Sequence, residues 1–545
     1  MAEFNKAGTS VGSNELNAAL WAAADEMRRV MSADVYKDYL LGLIFYKALS
    51  DRMLYEAVDL LENRVPQSLE EAQDIYASVK ESPEDWKELS NELSLTFGVC
   101  IEPEHTFIAY YRAINNNTFM LSDLRAGFRN IEAAQNGAFS GLFEDFDIES
   151  KDLGKTMDKR NEMLSSVIKV LAHIDFTQYG EDALGDAYEY LISMFAAESG
   201  KKAGEFYTPQ AVSSLITRIV TAGREHKEGF SIYDPAMGSG SLLLQVRNYM
   251  YVERDENGKP KKGGLNCVKN IQFYGQEIKN QTYNLARMNM MLHRVKLSQQ
   301  HLRNGDTLDA DWPTDEPTTF DAVVMNPPYS QKYSAAPGLL EDPRFSRYEK
   351  LPPASKADFA FLLHGFYHLK NDGVMGIVLP HGVLFRGAAE GVIRRHLLEN
   401  GSIYAVIGLP ANIFFSTGIP TCVIVLKKDN TDRSVLFIDA SQEFEKERAR
   451  NVMTEEHIEK IFNAYIERKD IEKFAHLASF EEIKENDFNL NIPRYVENFD
   501  DEEEIDLSTV INDLKTLQQK ELDIDKQLNN LLEELGFELN DGATK

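Results

Sequence analysis

The sequence predicts an α/β protein: a Rossmann-like, mostly parallel sheet, an all-α N-terminal domain before it, and a C-terminal coiled-coil-like helix after it. Three observations predict this. Strand signals are scarce before about residue 165, whereas apolar residues recur there at helical spacing. After GEFYTP short apolar runs alternate with amphipathic stretches, the pattern of βαβ units. The acidic tail carries a 3-and-4 apolar repeat. The 545 residues suit several domains. The expected boundaries are 1–13 for a disordered N-terminus, 14–165 for the helical domain, 166–480 for the α/β domain, and 481–545 for a linker and heptad helix.

The helical domain opens with Leu16, Leu20, Met27 and Met31 near one face. Ser32 or Asp34 caps the next helix, in which Tyr36, Leu40, Leu43, Ile44 and Ala48 share a face. Strands are expected at FSIYDP, IQFYGQEI, FDAVVM, GVMGIVLP, SIYAVIGLP and TCVIVLKK. The stretch ERDENGKPKKGG between two of them reads as a loop. Residues 501–545 hold 13 acidic and 4 basic residues, a net charge of −9. Within them Leu507, Val510, Leu514, Leu517, Glu521, Ile524, Leu528, Leu531 and Leu535 form a heptad seam with one polar interruption. That seam packs on its own chain or, favoured by its length, on a partner helix.

Charge and cysteines narrow the function. The chain carries 58 Lys+Arg against 87 Asp+Glu, a net charge of −29 with a pI near 4.9. It does not coat DNA or anionic lipid by bulk charge, although a local basic surface can still serve a nucleic-acid enzyme. Such stretches occur at Lys259–Lys262, Arg287–Lys296 and Arg344–Lys350. Cys100, Cys267 and Cys422 lie far apart, so neither a disulfide framework nor a metal site is expected. With no signal peptide and no long apolar run, a cytoplasmic protein without membrane contact is expected.

The strongest local signal is DPAMGSGSLLL. A strand runs into a turn with Gly238, Ser239, Gly240 and Ser241, then into a helix whose N-terminus offers free N–H groups. A dinucleotide site wants a third glycine where Leu243 stands, and Asp234 would repel a pyrophosphate. A carboxylate there suits a cation instead, the sulfonium and ammonium of S-adenosyl-L-methionine; a plain structural turn is the alternative. Glu277, ending the next strand, is placed for ribose hydroxyls or caps the following helix. Asp306 of RNGDT is placed for an adenine amine or makes an Asx turn. Upstream, Tyr207 and Phe206 could close the methionine side of the pocket, or the segment is simply a helix entry, with Thr208 as N-cap and Pro209 at N1.

The sequence FDAVVM leads into Asn326, Pro327, Pro328 and Tyr329 at a strand's C-terminal end, where parallel sheets carry their sites. The prolines remove two backbone donors. What remains is acceptor chemistry: the Asn326 side-chain oxygen and the Pro327 carbonyl, suited to orient an –NH2 group for methylation. Tyr329 offers a ring face for a planar substrate, which in duplex DNA must first be flipped out.

The order GEFYTP, DPAMGSGSLLL, GQEI, NGDTL, NPPY resembles the gamma-type amino-methyltransferases. With the helical opening LWAAADEMRRVMSADVYKDYLLGLIFYKALSDR, the segment FAFLLHGFYHLKNDGVMGIVLPHGVLFRGAAE, the late NLNIPRYV and the heptad tail, roughly residues 14–535 resemble the modification (M) subunit of type I restriction–modification systems. The resemblance implies a methyltransferase core that moves a methyl group from S-adenosyl-L-methionine to the N6 amine of a flipped adenine, a site-specific adenine DNA methyltransferase. Glu205, Phe206, Tyr207, Thr208, Pro209, Gln210, Gly238, Ser239, Gly240, Ser241 and Glu277 would hold the cofactor, with Asp234 in the same loop. Asn326, Pro327, Pro328 and Tyr329 would be catalytic. The partners it implies are DNA, a specificity (S) subunit that reads the site and typically binds two M subunits, and a restriction (R) subunit. Two other readings share the chemistry: glutamine methylation on release factors, and a stand-alone adenine methyltransferase. A non-catalytic scaffold is a third.

Overall fold

The structure is a computed structural model. It describes residues 10–134, 137–179, 183–198, 207–254, 260–265, 270–309, 312–414, 418–447, 450–497 and 507–536. The chain divides into two compact units, Met1–Val496 and Glu497–Lys545.

Among the described residues, nine strands form the main sheet. They are β1 (Ser231–Asp234), β2 (Gln272–Glu277), β3 (Gln300–Asn304), β4 (Phe320–Met325), β5 (Leu369–Pro380), β6 (Ile403–Gly408), β7 (Thr421–Leu426), β8 (Val435–Asp439) and β9 (Ala475–Ala478). Their spatial order is β9-β8-β6-β7-β5-β4-β1-β2-β3. Pairings among β1 to β5 are parallel; β7 runs antiparallel between β5 and β6, and β9 runs antiparallel beside β8. The chain winds outward from β1 to β3, then returns to the other side of β1 as β4. The sheet therefore reverses its strand order between β1 and β4, where α/β sheets open a crevice at the strands' C-terminal ends.

All six expected strand segments are strands. Every residue of β4 is buried, because both faces of the sheet are covered. Alternation decides which core each side chain joins. Ile232, Ala322 and Val324 enter one core, and Tyr233, Val323 and Met325 enter the other. The segment expected as a plain loop instead pairs Val252–Arg254 with Pro260–Leu265 in an antiparallel ladder, which needs backbone hydrogen bonds but no apolar face.

The helical region centres on Ala33–Glu62, with Tyr36, Leu40, Leu43, Ile44 and Ala48 all buried. Its core continues through the helices Met157–Ala172 and Ala183–Glu198, so one helix spans residue 165. The helix Asn280–Leu292 is a shared wall. Its Met288 and Leu292 join the helical core, while Ala286 and Met290 join the sheet core. Arg287 donates to the carbonyls of Ser140 and Ala138, and Asn284 to that of Gly141. Arg287 is thus committed inside the molecule. Arg344 is also buried, at 1% exposure. Neither contributes to the basic surface that charge counting suggested, because each guanidinium satisfies internal carbonyls that a shorter side chain could not reach.

In the second unit, the helix Leu507–Glu534 carries Val510, Leu514, Leu517, Ile524, Leu528 and Leu531 as exposed apolar residues, and Gly536 follows with φ +84°. Among the described residues no helix is long and apolar enough to cross a membrane, and no cluster of His, Cys, Asp and Glu could hold a metal ion.

Candidate active site

The crevice at the β1–β4 reversal is lined by Tyr207, Thr208, Asp234, Ala236, Met237, Gly238, Ser239, Ser241, Leu242 and Asn326. Three separate sequence segments thus converge on one place. After Asp234 the chain folds back onto β2, with Met237 N donating to the Gln276 carbonyl at 3.0 Å. A Cβ at Gly275 would press on the side chains of Met237, Leu302 and Leu243, so glycine lets the turn pack closely on that strand. Gly240 takes φ +79° and begins the helix Ser241–Tyr251. From behind, Asn289 Nδ2 donates to the Ser239 carbonyl at 3.0 Å. Gly240 itself backs onto Ala286 and Met290 rather than lining the crevice.

Asp234 is 1% exposed. Its Oδ1 accepts from Ala236 N at 3.0 Å, and its Oδ2 is buried with no partner. Burial, with the nearby Glu277 charge, pushes its pKa up to about 8. A buried carboxylate oxygen without a donor fits a cationic ligand, which would supply the missing positive charge. The residues present therefore fit S-adenosyl-L-methionine.

Glu277 is also raised above the usual carboxylate range by burial, and its Oε1 accepts from Lys279 N at 2.9 Å. One oxygen thus turns the chain into the next helix. Asp306 is exposed and accepts from Leu308 N at 3.0 Å, an Asx turn. Pro209 and Gln210 face a different cleft, alongside Arg218, Gln245 and Arg450. Glu205 and Phe206 lie outside the described residues.

Thr208 differs from its expected role. The helix begins at Gln210 with Pro209 as its N-cap and no side-chain cap bond. The Thr208 hydroxyl instead accepts from Asn326 Nδ2 at 3.1 Å. The other end of the Asn326 amide is also engaged, since the Tyr329 hydroxyl donates to Oδ1 at 2.7 Å. The Tyr329 ring meets Phe414 edge-on, with centroids 6.2 Å apart and planes at 83°.

Sequence reasoning missed the supports of this loop. Ser330 takes φ +54°, and its N–H is held by Asp358 Oδ1 at 2.8 Å. Asp358 is in turn paired with Arg386 at 2.7 Å. Beneath Asp306, Arg344 donates to the Thr307 carbonyl at 2.9 Å and to His364 Nδ1 at 3.0 Å. Burial first, then neighbouring His368 and the Arg344 guanidinium, push His364 well below the ordinary imidazole range. Its Nδ1 accepts, so Nε2 carries the proton and donates to the Tyr233 hydroxyl, which donates to Gln276 Oε1. An Asp opening the apolar run DFAFLL was the one available signal for Asp358. Arg344 had none: Asp342 lies two residues away, but the Thr307 carbonyl and His364 are distant in the chain.

Residues 179–504 match the N-6 DNA Methylase family, and residues 16–171 match the HsdM N-terminal domain. The chain belongs to the N-6 DNA methylase family. Within it, the chain is a DNA methyltransferase of the type I restriction–modification methylase-subunit kind. It is 32% identical to the type I restriction enzyme MpnII methylase subunit of Mycoplasma pneumoniae, over 96% of each chain. It is 29% identical to the MjaVII methylase subunit of Methanocaldococcus jannaschii, over 89% of this chain and 79% of that one. Among solved structures, the type I restriction–modification methyltransferase subunit from Streptococcus thermophilus superposes with a TM-score of 0.84 and is 55% identical, covering 89% of this chain and all of that one. A chain from a type I restriction–modification assembly shares the fold at a TM-score of 0.58 and 20% identity.

Proposed function

We propose that the chain transfers a methyl group from S-adenosyl-L-methionine to the N6 amine of an adenine flipped out of DNA. One observation carries the reading. Asn326, at the end of β4, shares a crevice with the buried Asp234 carboxylate and the glycine turn at the end of β1. When bound, S-adenosyl-L-methionine supplies a sulfonium-activated methyl group.

The residues around it divide the work. Asp234 faces the cationic end, with Tyr207, Gly238, Ser239 and Ser241 around it. Glu277 and Asp306 belong to the nucleoside end, where exposed Ile278 offers an apolar surface. Asn326 Oδ1 accepts an N–H of the target amine, which orients the nitrogen lone pair. Pro327 and Pro328 hold the loop rigid. Tyr329, backed edge-on by the buried Phe414, supplies ring surface for the base. The nitrogen needs no strong base before it attacks, because its proton is lost only as the new bond forms.

DNA specificity, on this reading, comes from a separate S subunit gripped by the exposed stripe of Leu507–Glu534, with two M subunits per S and an R subunit joining for cleavage. Support comes from the relatives' description as methylase subunits of type I restriction enzymes. Family membership leaves no support for release-factor methylation or a scaffold. The test is the assembled enzyme with tritiated cofactor and DNA. Label recovered as N6-methyladenine is expected; label on cytosine, or none, refutes the reading.

A further inference from the structure

A carboxamide has a donor end and an acceptor end, and methylation of an amine needs the acceptor end turned to the target. The Asn326 side chain therefore needs a group that sets its orientation. The prolines that follow fix the backbone, not the amide. Among the described residues the donor end is engaged by one group, the Thr208 hydroxyl, at 3.1 Å.

Thr208 is well placed to be an anchor. It is 7% exposed. The proline after it restricts its backbone to extended conformations. Pro209 then enters the helix Gln210–Thr221, most of whose residues are buried. A hydroxyl so held is preorganised, and it does not follow a catalytic loop that moves. The acceptor end is engaged differently. Its partner is the Tyr329 hydroxyl, three residues along the same loop. When a target amine takes the place of that hydroxyl, the bond to Thr208 is what remains of the substrate-free arrangement. Because Nδ2 donates in that bond, the amide is polarised toward its charge-separated form, which makes Oδ1 a better acceptor.

Resting on the proposed amine methylation, we infer that Thr208 is a positioning residue of the catalytic loop, whose hydroxyl anchors the Asn326 carboxamide with its oxygen toward the target amine. This differs from a role in holding the cofactor, which the position of Thr208 beside the aromatic segment otherwise suggests.

The test uses the full chain assembled with an S subunit. Thr208→Val keeps the shape and removes the hydroxyl. It is expected to lower kcat by about tenfold, the worth of one hydrogen bond, with KM for S-adenosyl-L-methionine little changed. Thr208→Ser is expected to restore kcat. Calorimetric cofactor binding by each variant checks that the crevice is intact. An unchanged kcat in Thr208→Val overturns the inference, as does a loss confined to cofactor affinity. Failure of Thr208→Ser to restore turnover does so too, because packing would then be the cause. A wild-type assembly that transfers no methyl group overturns the amine-methylation reading and the inference with it. An active wild type beside an equally active Thr208→Val overturns the inference alone.

Discussion

The Tyr329 hydroxyl donates to Asn326 Oδ1 at 2.7 Å, so the acceptor that a target amine needs is filled from within its own loop. Under the proposed amine methylation, the hydroxyl takes the acceptor that a substrate N–H would use. Entry of a base exchanges one hydrogen bond for another, and the loop is never left with a buried unsatisfied oxygen.

Removing that internal competitor should favour the substrate. In Tyr329→Phe the ring remains but Oδ1 loses its partner. KM for DNA is expected to fall by a few-fold, about the effect of one hydrogen bond, with kcat retained. Steady-state kinetics checks this; a rise in KM would show that the hydroxyl contacts the base. Asn326→Ala should abolish transfer and leave cofactor affinity near wild type, measured by single-turnover labelling and calorimetry.

Cofactor affinity should depend on pH through Asp234. Its pKa is raised by burial to about 8, so the carboxyl is largely protonated at neutral pH when no cation faces it. A cationic ligand favours the ionised form, and binding then releases a proton. Affinity is therefore expected to fall as pH drops below about 8, by up to about tenfold per unit. Calorimetry from pH 6.5 to 9 reads the slope, and Asp234→Asn should weaken binding and flatten it.

Folding stability shifts the other way for the same group. Between the ordinary carboxylate range and about pH 8, the folded state binds a proton that the unfolded chain does not. The stability from this group is complete at low pH and is lost as pH rises through 8. Asp234→Asn should remove that decline in chemical denaturation at fixed temperature.

Arg344 should be a stability residue. Its guanidinium is buried against Asp342, the Thr307 carbonyl and His364. Arg344→Leu breaks a buried pair and leaves these acceptors without donors, at an expected cost of about 3 kcal/mol. Urea unfolding measures it. Arg344→Lys should not rescue, because a single ammonium cannot replace a fork.

The tail should be dispensable for the core. Deleting residues 501–545 is expected to leave the melting of the remainder unchanged while abolishing co-elution with the S subunit. Retained co-elution would place the S-subunit contact elsewhere.

The alternating apolar runs announced the strands, and the periodicity of residues 36–48 announced the long helix. Local chemistry of that kind is written residue by residue: side-chain spacing must match 2.0 or 3.6, and turns must carry their glycines. For the same reason the NPPY and glycine segments stand out in the sequence as candidates for chemistry. Asp358 and Arg344 do not, since Asp358 acts on Ser330 N–H and Arg386, and Arg344 on the Thr307 carbonyl and His364, all distant in the chain.

By itself, then, the sequence determined the element types and the tail's heptad stripe, and it singled out the glycine and NPPY loops as candidate site segments. The tertiary structure decided which of those loops meet. It put Asp234 and Asn326 in one crevice because β1 and β4 are neighbours in the sheet. It turned Thr208 from a helix cap into the partner of Asn326, and it withdrew Arg287 and Arg344 from the surface. The physical reason is the same throughout. Hydrogen-bond partners and burial depend on contacts between segments distant in sequence, and packing fixes those contacts only when the whole sheet closes.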